Sequence, residues 1–192
     1  IHPFPAGTRC EQYSVLSLLE AMDNILGMPP DLHQREGHPA LSFPMKAWKS
    51  RLLMVKDVIG GKFGPGYQAV RLDIPKHIGV MAGGISDGIS PRFANGGSVL
   101  VRGKRVPVAS SICLEHTILD LTDCPEAAEG DEVVLFGKQG EEEITMEELR
   151  SAFGRDLMEF WTGITPHVSR IYYEKGRACS ITYGDKVEKI RE

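Results

Sequence analysis

One stretch, from Val99 to Gly137, places the strongest limits on how this chain can fold; it reads VLVRGKRVPVASSICLEHTILDLTDCPEAAEGDEVVLFG. Two short apolar runs flank a Gly-Lys turn at 103–104, a third run continues through Leu121, and Gly130-Asp131 turns the chain into a fourth. Short runs separated by glycine-containing turns predict antiparallel β-strands. The polar and reactive side chains of the 99–137 stretch lie at its centre, residues 111–115, where we expect a functional site.

Similar runs occur on both sides of this stretch, and turn signals separate them. They cover 49–58, 67–72, 78–82, 163–173 and 178–183. Many short strands at this spacing predict a barrel or a sandwich. We therefore expect a mainly β fold, a small β-barrel domain with one capped helix over residues 41–192.

Two segments have helical patterns. Thr145 and Glu148 form a capping-box sequence, in which each side chain binds the backbone amide of the other residue, and Gly154 ends the predicted helix. Near the N-terminus, apolar residues recur at helical spacing from Ser14 to Gly27, and a proline-rich connection follows through residue 44. We predict a helical appendage and linker over residues 1–40, ahead of the β domain.

Composition narrows the class of partner. The formal net charge is −4 and the pI is near 5.9, so a concentrated basic face for nucleic acid or an anionic membrane is not expected. No apolar run approaches the roughly 20 residues of a membrane span, and a cytoplasmic location is the default expectation. The start at Ile1 rather than Met suggests a fragment or a processed piece. The four cysteines have no metal-type spacing, so we expect free thiols and no metal site.

Three motifs near the centre invite a chemical interpretation. The glycine-rich segment Gly83–Gly88 lacks the Gly-Lys-Ser/Thr of a phosphate loop, and a β-turn is the better interpretation. Six acidic residues offer carboxylates for acid–base chemistry, and Glu115 stands out because apolar residues surround it. If residues 113–116 form a strand, Cys113 and His116 lie on opposite faces and make a poor nucleophile and base pair.

A set of short motifs also occurs in consistent order between residues 46 and 175: WKSR at 48–51, GISDG at 84–88, SICLE at 111–115, GDEVVLFG at 130–137 and VSRIY at 168–172. Together they resemble the C-terminal β domain of the alanine racemase family, the pyridoxal-phosphate amino-acid racemases of fold type III. The resemblance implies an oligomeric isomerase in which this domain completes the active site of a (β/α)8 barrel. That barrel carries the cofactor lysine, so the chain alone would not be a complete enzyme.

The departures from the family pattern concern the residues to which the resemblance assigns roles. Ile85 takes the position of the tyrosine that moves the substrate α-proton, and isoleucine has no titratable group. Leu114-Glu115 replaces Met-Asp, although the Leu114 amide can still bind a substrate carboxylate. Ser111 replaces an arginine at the approach to the site. Met158 takes the position of a tyrosine that binds the cofactor phosphate, and an arginine is also replaced by His167.

Two hypotheses follow. In the first, the chain pairs with a cofactor-bearing barrel chain and lines a site for a small amino acid through Ser111, Leu114 and Glu115, without the usual tyrosine base. In the second, it is a catalytically inactive domain kept for dimerisation or regulation. A free-standing binding module is a third, weaker interpretation.

Overall fold

The computed structural model describes residues 9–13, 45–59, 61–63, 70–72, 76–174, 177–184 and 186–190. Within these residues the fold is mainly β, as predicted, with two α-helices and two short 3-10 turns. The strands are β1 Arg9–Tyr13, β2 Met45–Val58, β3 Gly61–Phe63, β4 Val70–Leu72, β5 Lys76–Ala82, β6 Ser98–Val101, β7 Lys104–Pro107, β8 His116–Asp120, β9 Glu132–Gln139, β10 Glu142–Ile144, β11 Ser169–Glu174, β12 Arg177–Tyr183 and β13 Lys186–Lys189. The helices are α1 Met146–Phe153 and α2 Leu157–Gly163, and the 3-10 turns are Ile85–Asp87 and Pro91–Ala94.

The strands do not close into the small barrel that the sequence predicted. The main sheet follows the order β13-β12-β11-β1-β2-β9-β6-β7, which ends on different strands, while β3 and β4 form a separate ribbon. The long strand β2 is the branch point: its first part pairs with β1 and β9, and its second part pairs with β5, which in turn pairs with β8. Register shifts in β2 at Trp48/Lys49 and between Leu52 and Met54 accompany this change of partners. One irregular strand therefore joins two sections of sheet without closing them.

The predicted strands are present, with shifted boundaries. The β6–β7 hairpin turns at Arg102-Gly103, one residue earlier than expected, and both residues have positive φ, 51° and 74°. Two-residue hairpin loops with positive φ at both positions match the natural twist of the strands. The strand expected over 163–173 starts only at Ser169, because α2 occupies residues 157–163.

Both helices begin at side-chain caps. Thr145 Oγ1 accepts a hydrogen bond from the Glu148 amide at 3.2 Å, which confirms half of the predicted capping box. The Glu148 carboxylate instead binds Arg105 on β7. The second helix, α2, was not predicted; Asp156 accepts from the Glu159 amide at 2.8 Å, and the Glu159 side chain accepts from the Asp156 amide. This is a complete capping box at the start of a seven-residue helix.

An aromatic cluster holds the helices against the sheet. Trp48 of β2 is fully buried and meets Phe153 of α1 and Phe160 of α2 edge-on, each at 6.1 Å between ring centroids. Phe93, from the second 3-10 turn, packs edge-on against Phe153 at 5.1 Å. Edge-to-face packing suits the quadrupoles of the rings and adds to the burial of their area. The cluster fixes α1, α2 and the segment around Phe93 relative to one another.

Some sequence predictions fall outside the described residues, among them the helix from Ser14, the linker through residue 44 and the first part of the run at 67–72. Residues 9–13, within the predicted helical appendage, instead form β1, which is parallel to β11 and antiparallel to β2. The division into domains at residue 40 stays a prediction. Cys113, Cys124 and Cys179 are free thiols, as expected. None of the described helices is long and apolar enough to cross a membrane.

Candidate functional site

The residues singled out from the sequence meet where a 3-10 turn packs against a loop. The turn spans Gly83–Gly88, here called the Ile85 turn, and the loop spans Ser111–Glu115, here called the Leu114 loop. Three backbone hydrogen bonds join them: Gly83 N to Glu115 O at 2.8 Å, Ile85 N to Cys113 O at 2.9 Å and Ser86 N to Leu114 O at 3.0 Å. The Leu114 loop is irregular, so the predicted strand through Cys113 and Glu115 is wrong; β8 starts at His116.

Glycines allow this close approach. A Cβ on Gly84 would lie 2.3 Å from the carbonyl oxygen of Cys113, and a Cβ on Gly88 would lie 2.1 Å from the carbonyl oxygen of Gly163 at the end of α2. Gly88 also has a φ of 101°, which favours glycine. The predicted role of these glycines as turn residues is therefore correct, and they place the Ile85 turn between the Leu114 loop and α2.

Two apolar side chains stand out from the packed turn and loop. Ile85 is 41% exposed and Leu114 is 68% exposed, although their backbones belong to the hydrogen-bonded pair of segments. Glu115 is also exposed, whereas Ser111 is half-buried. Leaving large apolar groups in water is unfavourable, and such residues on a rigid surface often mark contact sites.

Polar side chains fix the Ile85 turn from within and from the Leu114 loop. Asp87, only 8% exposed, accepts a hydrogen bond from the Gly84 amide at 2.9 Å. The hydroxyl of buried Thr117 donates to the Gly83 carbonyl at 2.8 Å. Ser86 Oγ lies 2.8 Å from both Leu114 O and Glu115 Oε1. Neither Ser86 nor Thr117 was assigned a role from the sequence: Ser86 lies within the glycine-rich motif, and Thr117 lies two residues after the 111–115 segment.

The helical side of the molecule holds the turn as well. Thr165 Oγ1 donates to the Ser86 carbonyl at 2.6 Å, and Arg155 Nη1 donates to the Gly88 carbonyl at 2.9 Å. A second arginine, Arg170, donates to the Ile164 carbonyl at 3.0 Å. Both arginines therefore have backbone carbonyls as partners. Arg155 and Thr165 are distant from the turn in sequence, and nothing in the local pattern indicated this contact.

The other residues singled out from the sequence lie at separate positions in the structure. Cys113 is half-buried, and burial raises the pKa of its thiol, which disfavours the nucleophilic thiolate. Its amide donates to the His116 carbonyl at 2.9 Å, while the His116 side chain is exposed. Met158 lies in α2, and exposed His167 lies in the connection from α2 to β11.

The acidic residues of the centre do not form a reactive pair with one another. Asp120 binds Lys76, Glu126 binds Lys104 and Asp131 binds Arg102, each as an ion pair. Hydrogen bonding to Lys104 lowers the pKa of Glu126, as expected for an exposed ion pair. Within the described part of the chain, no group of three His, Cys, Asp or Glu residues is arranged to hold a metal ion. The Ile85 turn and the Leu114 loop remain the best candidate site.

The fold and this site define a mainly β domain with an edge at which two apolar side chains, Ile85 and Leu114, are exposed. Residues 45–172 match the family model described as alanine racemase, C-terminal domain. The chain therefore belongs to the alanine racemase C-terminal domain family.

Individual relatives agree with this assignment. The chain is 36% identical over 132 residues to an alanine racemase of Methylacidiphilum infernorum, covering 67% of this chain and 33% of the relative. It is 34% identical over 160 residues to one from Desulfosudis oleivorans, covering 82% and 40%. The crystal structure of alanine racemase from Bacillus anthracis with bound L-Ala-P superposes with a TM-score of 0.65 at 28% identity, covering 85% of this chain and 40% of that one. The chain thus spans between a third and two fifths of the length of these relatives.

Proposed function

We propose that this chain is the C-terminal domain or subunit of an alanine-racemase-like, pyridoxal-phosphate-dependent amino-acid isomerase. In this proposal it pairs with a (β/α)8 barrel chain and lines the active site of that barrel with the Ile85 turn and the Leu114 loop. The partner is a cofactor-bearing barrel, and the substrate is a small amino acid. Family membership supports the general class of enzyme, since the relatives are named alanine racemases.

One observation carries the proposal: Ile85 and Leu114 are exposed apolar residues on two segments, the Ile85 turn and the Leu114 loop, that backbone hydrogen bonds join. A flexible loop would lose entropy on docking, whereas a rigid one already has its bound shape. Covering two large apolar side chains with a partner adds a favourable contribution of roughly 25 cal/mol for each Å² of apolar surface removed from water. The edge therefore suits docking against another chain.

The residues that this chain would bring to pyridoxal phosphate do not fit the cofactor. Met158, at the position where the family binds the phosphate, has a thioether that cannot donate a hydrogen bond. Two arginines that precede and follow α2, Arg155 and Arg170, direct guanidinium nitrogens to backbone carbonyls. We therefore assign the whole task of holding the cofactor to the barrel.

Ile85 limits the class of reaction to which this chain can contribute. An isoleucine side chain cannot give or take a proton, so position 85 does not supply the second base of a two-base racemase. A reaction that needs a single base on the barrel is compatible with the site, for example a decarboxylation, an elimination or a one-sided epimerisation. Ser111 and the Leu114 amide would then contact the substrate.

A second candidate function is a domain without catalytic activity that serves dimerisation or regulation. The same substitutions favour it, because Ile85 and Met158 remove a proton-transfer group and a phosphate ligand together. It differs from the first candidate in its partner: a second copy of this chain would take the place of a cofactor-bearing barrel.

Native mass spectrometry of the tagged full chain, purified gently from its own cells, separates the two candidates. The proposal expects a complex of this chain with a second chain of barrel size, together with a visible absorption band from bound pyridoxal phosphate. A colourless homo-oligomer would overturn it and support the inactive domain. A stable monomer would overturn both.

A further inference from the structure

Glu115 contacts the Ile85 turn on both sides of Ile85. Its backbone carbonyl accepts from the Gly83 amide at 2.8 Å, where the turn begins, and its carboxylate accepts from Ser86 Oγ at 2.8 Å. These two contacts bracket Ile85. A hydrogen bond to an ionised acceptor is stronger than one between neutral groups, so the side chain adds appreciably to the backbone contacts.

Ser86 is the residue through which the Glu115 side chain acts on Ile85. Its amide donates to Leu114 O at 3.0 Å, its carbonyl accepts from Thr165 Oγ1 at 2.6 Å, and its hydroxyl serves both Leu114 O and Glu115 Oε1. One hydroxyl hydrogen cannot fully satisfy two acceptors. The carboxylate of Glu115 therefore competes with the Leu114 carbonyl for it, and the two acceptors together fix the side-chain orientation of Ser86.

We propose that Glu115 is a positioning residue: through Ser86 it holds the Ile85 turn in register with the Leu114 loop. Asp87 cannot take this role, since its carboxylate faces inward to the Gly84 amide. This register sets the position of the Ile85 side chain relative to that of Leu114 at the exposed edge. The consequence for docking rests on the proposed function, whereas the positioning itself concerns this chain alone.

Amide hydrogen exchange measured by NMR on the full chain tests the role. Glu115→Ala should speed exchange at Ile85 and Ser86 by about three- to tenfold, as expected for the loss of one hydrogen bond from a locally stable unit. Glu115→Gln should keep the protection near that of the unchanged chain, because the amide oxygen still accepts from Ser86 Oγ. Glu141→Ala, in the exposed turn between β9 and β10, is the matched control and should change neither amide.

Ser86→Ala gives the second arm. It should speed exchange at Ile85 at least as much, because it removes the contacts of the hydroxyl with both Leu114 O and Glu115 Oε1. Combining it with Glu115→Ala should add little, since the bond between the two side chains is already lost in Ser86→Ala. Unchanged exchange in Glu115→Ala, equal acceleration in Glu115→Ala and Glu115→Gln, or additive effects in the double variant would each overturn the positioning role. None of these measurements needs a barrel partner, so failure of the proposed function would leave the result intact.

Discussion

Arg155 Nη1 lies 2.9 Å from the carbonyl oxygen of Gly88, and this hydrogen bond joins the connection between α1 and α2 to the Ile85 turn. The same guanidinium lies 5.9 Å from the ring centroid of Phe153, in the aromatic cluster. The guanidinium also lies against Gly163: a Cβ added at that glycine would be 2.5 Å from Arg155 Nη1. The candidate site is thus tied directly to the core, so its geometry depends on the packing of the helices.

We expect Arg155→Met to lower the free energy of unfolding by about 1–2 kcal/mol, because the Gly88 carbonyl loses a charged donor while most of the side-chain volume is kept. Lys138→Met is the control, since Lys138 forms only an exposed ion pair with Glu143 at 3.4 Å. Urea unfolding followed by circular dichroism gives both values. Equal losses in the two variants would show that the Gly88 contact contributes nothing to stability.

Gly88→Ala should be much more damaging than Gly96→Ala. Both glycines have positive φ, 101° and 91°, so both substitutions carry a backbone cost of about 1–2 kcal/mol. A Cβ at Gly96 meets nothing within 4 Å, whereas one at Gly88 lies 2.1 Å from the Gly163 carbonyl oxygen and must displace α2. Thermal unfolding of the two variants measures the difference. Similar unfolding temperatures would mean that the turn and α2 separate readily.

Local sequence patterns predicted much of the sheet. The Gly-Lys turn at 103–104 and the short apolar runs on either side of it were sufficient to predict a hairpin, and Thr145 together with Gly154 marked the two ends of α1. The order of the short motifs also indicated the family, because it combines the information from many positions along the chain. These features depend on residues that are near one another in the chain, or on a fixed order of short motifs.

The missed features depend on distant contacts. The short helix α2 has one apolar turn after its Asp156 cap, which reads equally well as the start of a strand. The open sheet could not be predicted, because β2 pairs with three other strands and the sequence of a strand does not show how many strands pair with it. Contacts of Arg155 and Thr165 with the Ile85 turn span 67 and 79 residues. Side chains that act over such separations leave no local periodicity.

The ion pair between Lys76 and Asp120 should make stability depend on pH. Burial acts to raise the pKa of Asp120, but hydrogen bonds from Lys76 and Thr122 outweigh it and leave that pKa below its ordinary value. The pair therefore stabilises the fold fully above about pH 4, the range of an unfolded aspartate, and loses this contribution as the pH falls through the folded pKa.

Asp120→Asn should cost about 1 kcal/mol at pH 6, and the difference from the unchanged chain should shrink below pH 4. Urea unfolding at pH 6, 4 and 3 measures the trend. Asp123→Asn, at an exposed position in the adjoining turn, is the control. A difference for Asp120→Asn that stays constant down to pH 3 would contradict the assignment.

Replacing Ile85 by tyrosine tests the direction in which the Ile85 turn faces in the assembled protein. If the turn lines a site that activates an amino-acid α-carbon, a phenol at position 85 supplies a proton donor and acceptor that isoleucine lacks. Deuterium incorporation into alanine in heavy water, measured by mass spectrometry on the purified complex, should then rise at least about tenfold, below the 10²–10⁴ of evolved acid–base groups. Ile85→Phe adds nearly the same bulk without the hydroxyl, so it should leave incorporation unchanged. Equal incorporation in the two variants would mean that Ile85 does not face the reacting atoms, and would leave docking as the role of this edge.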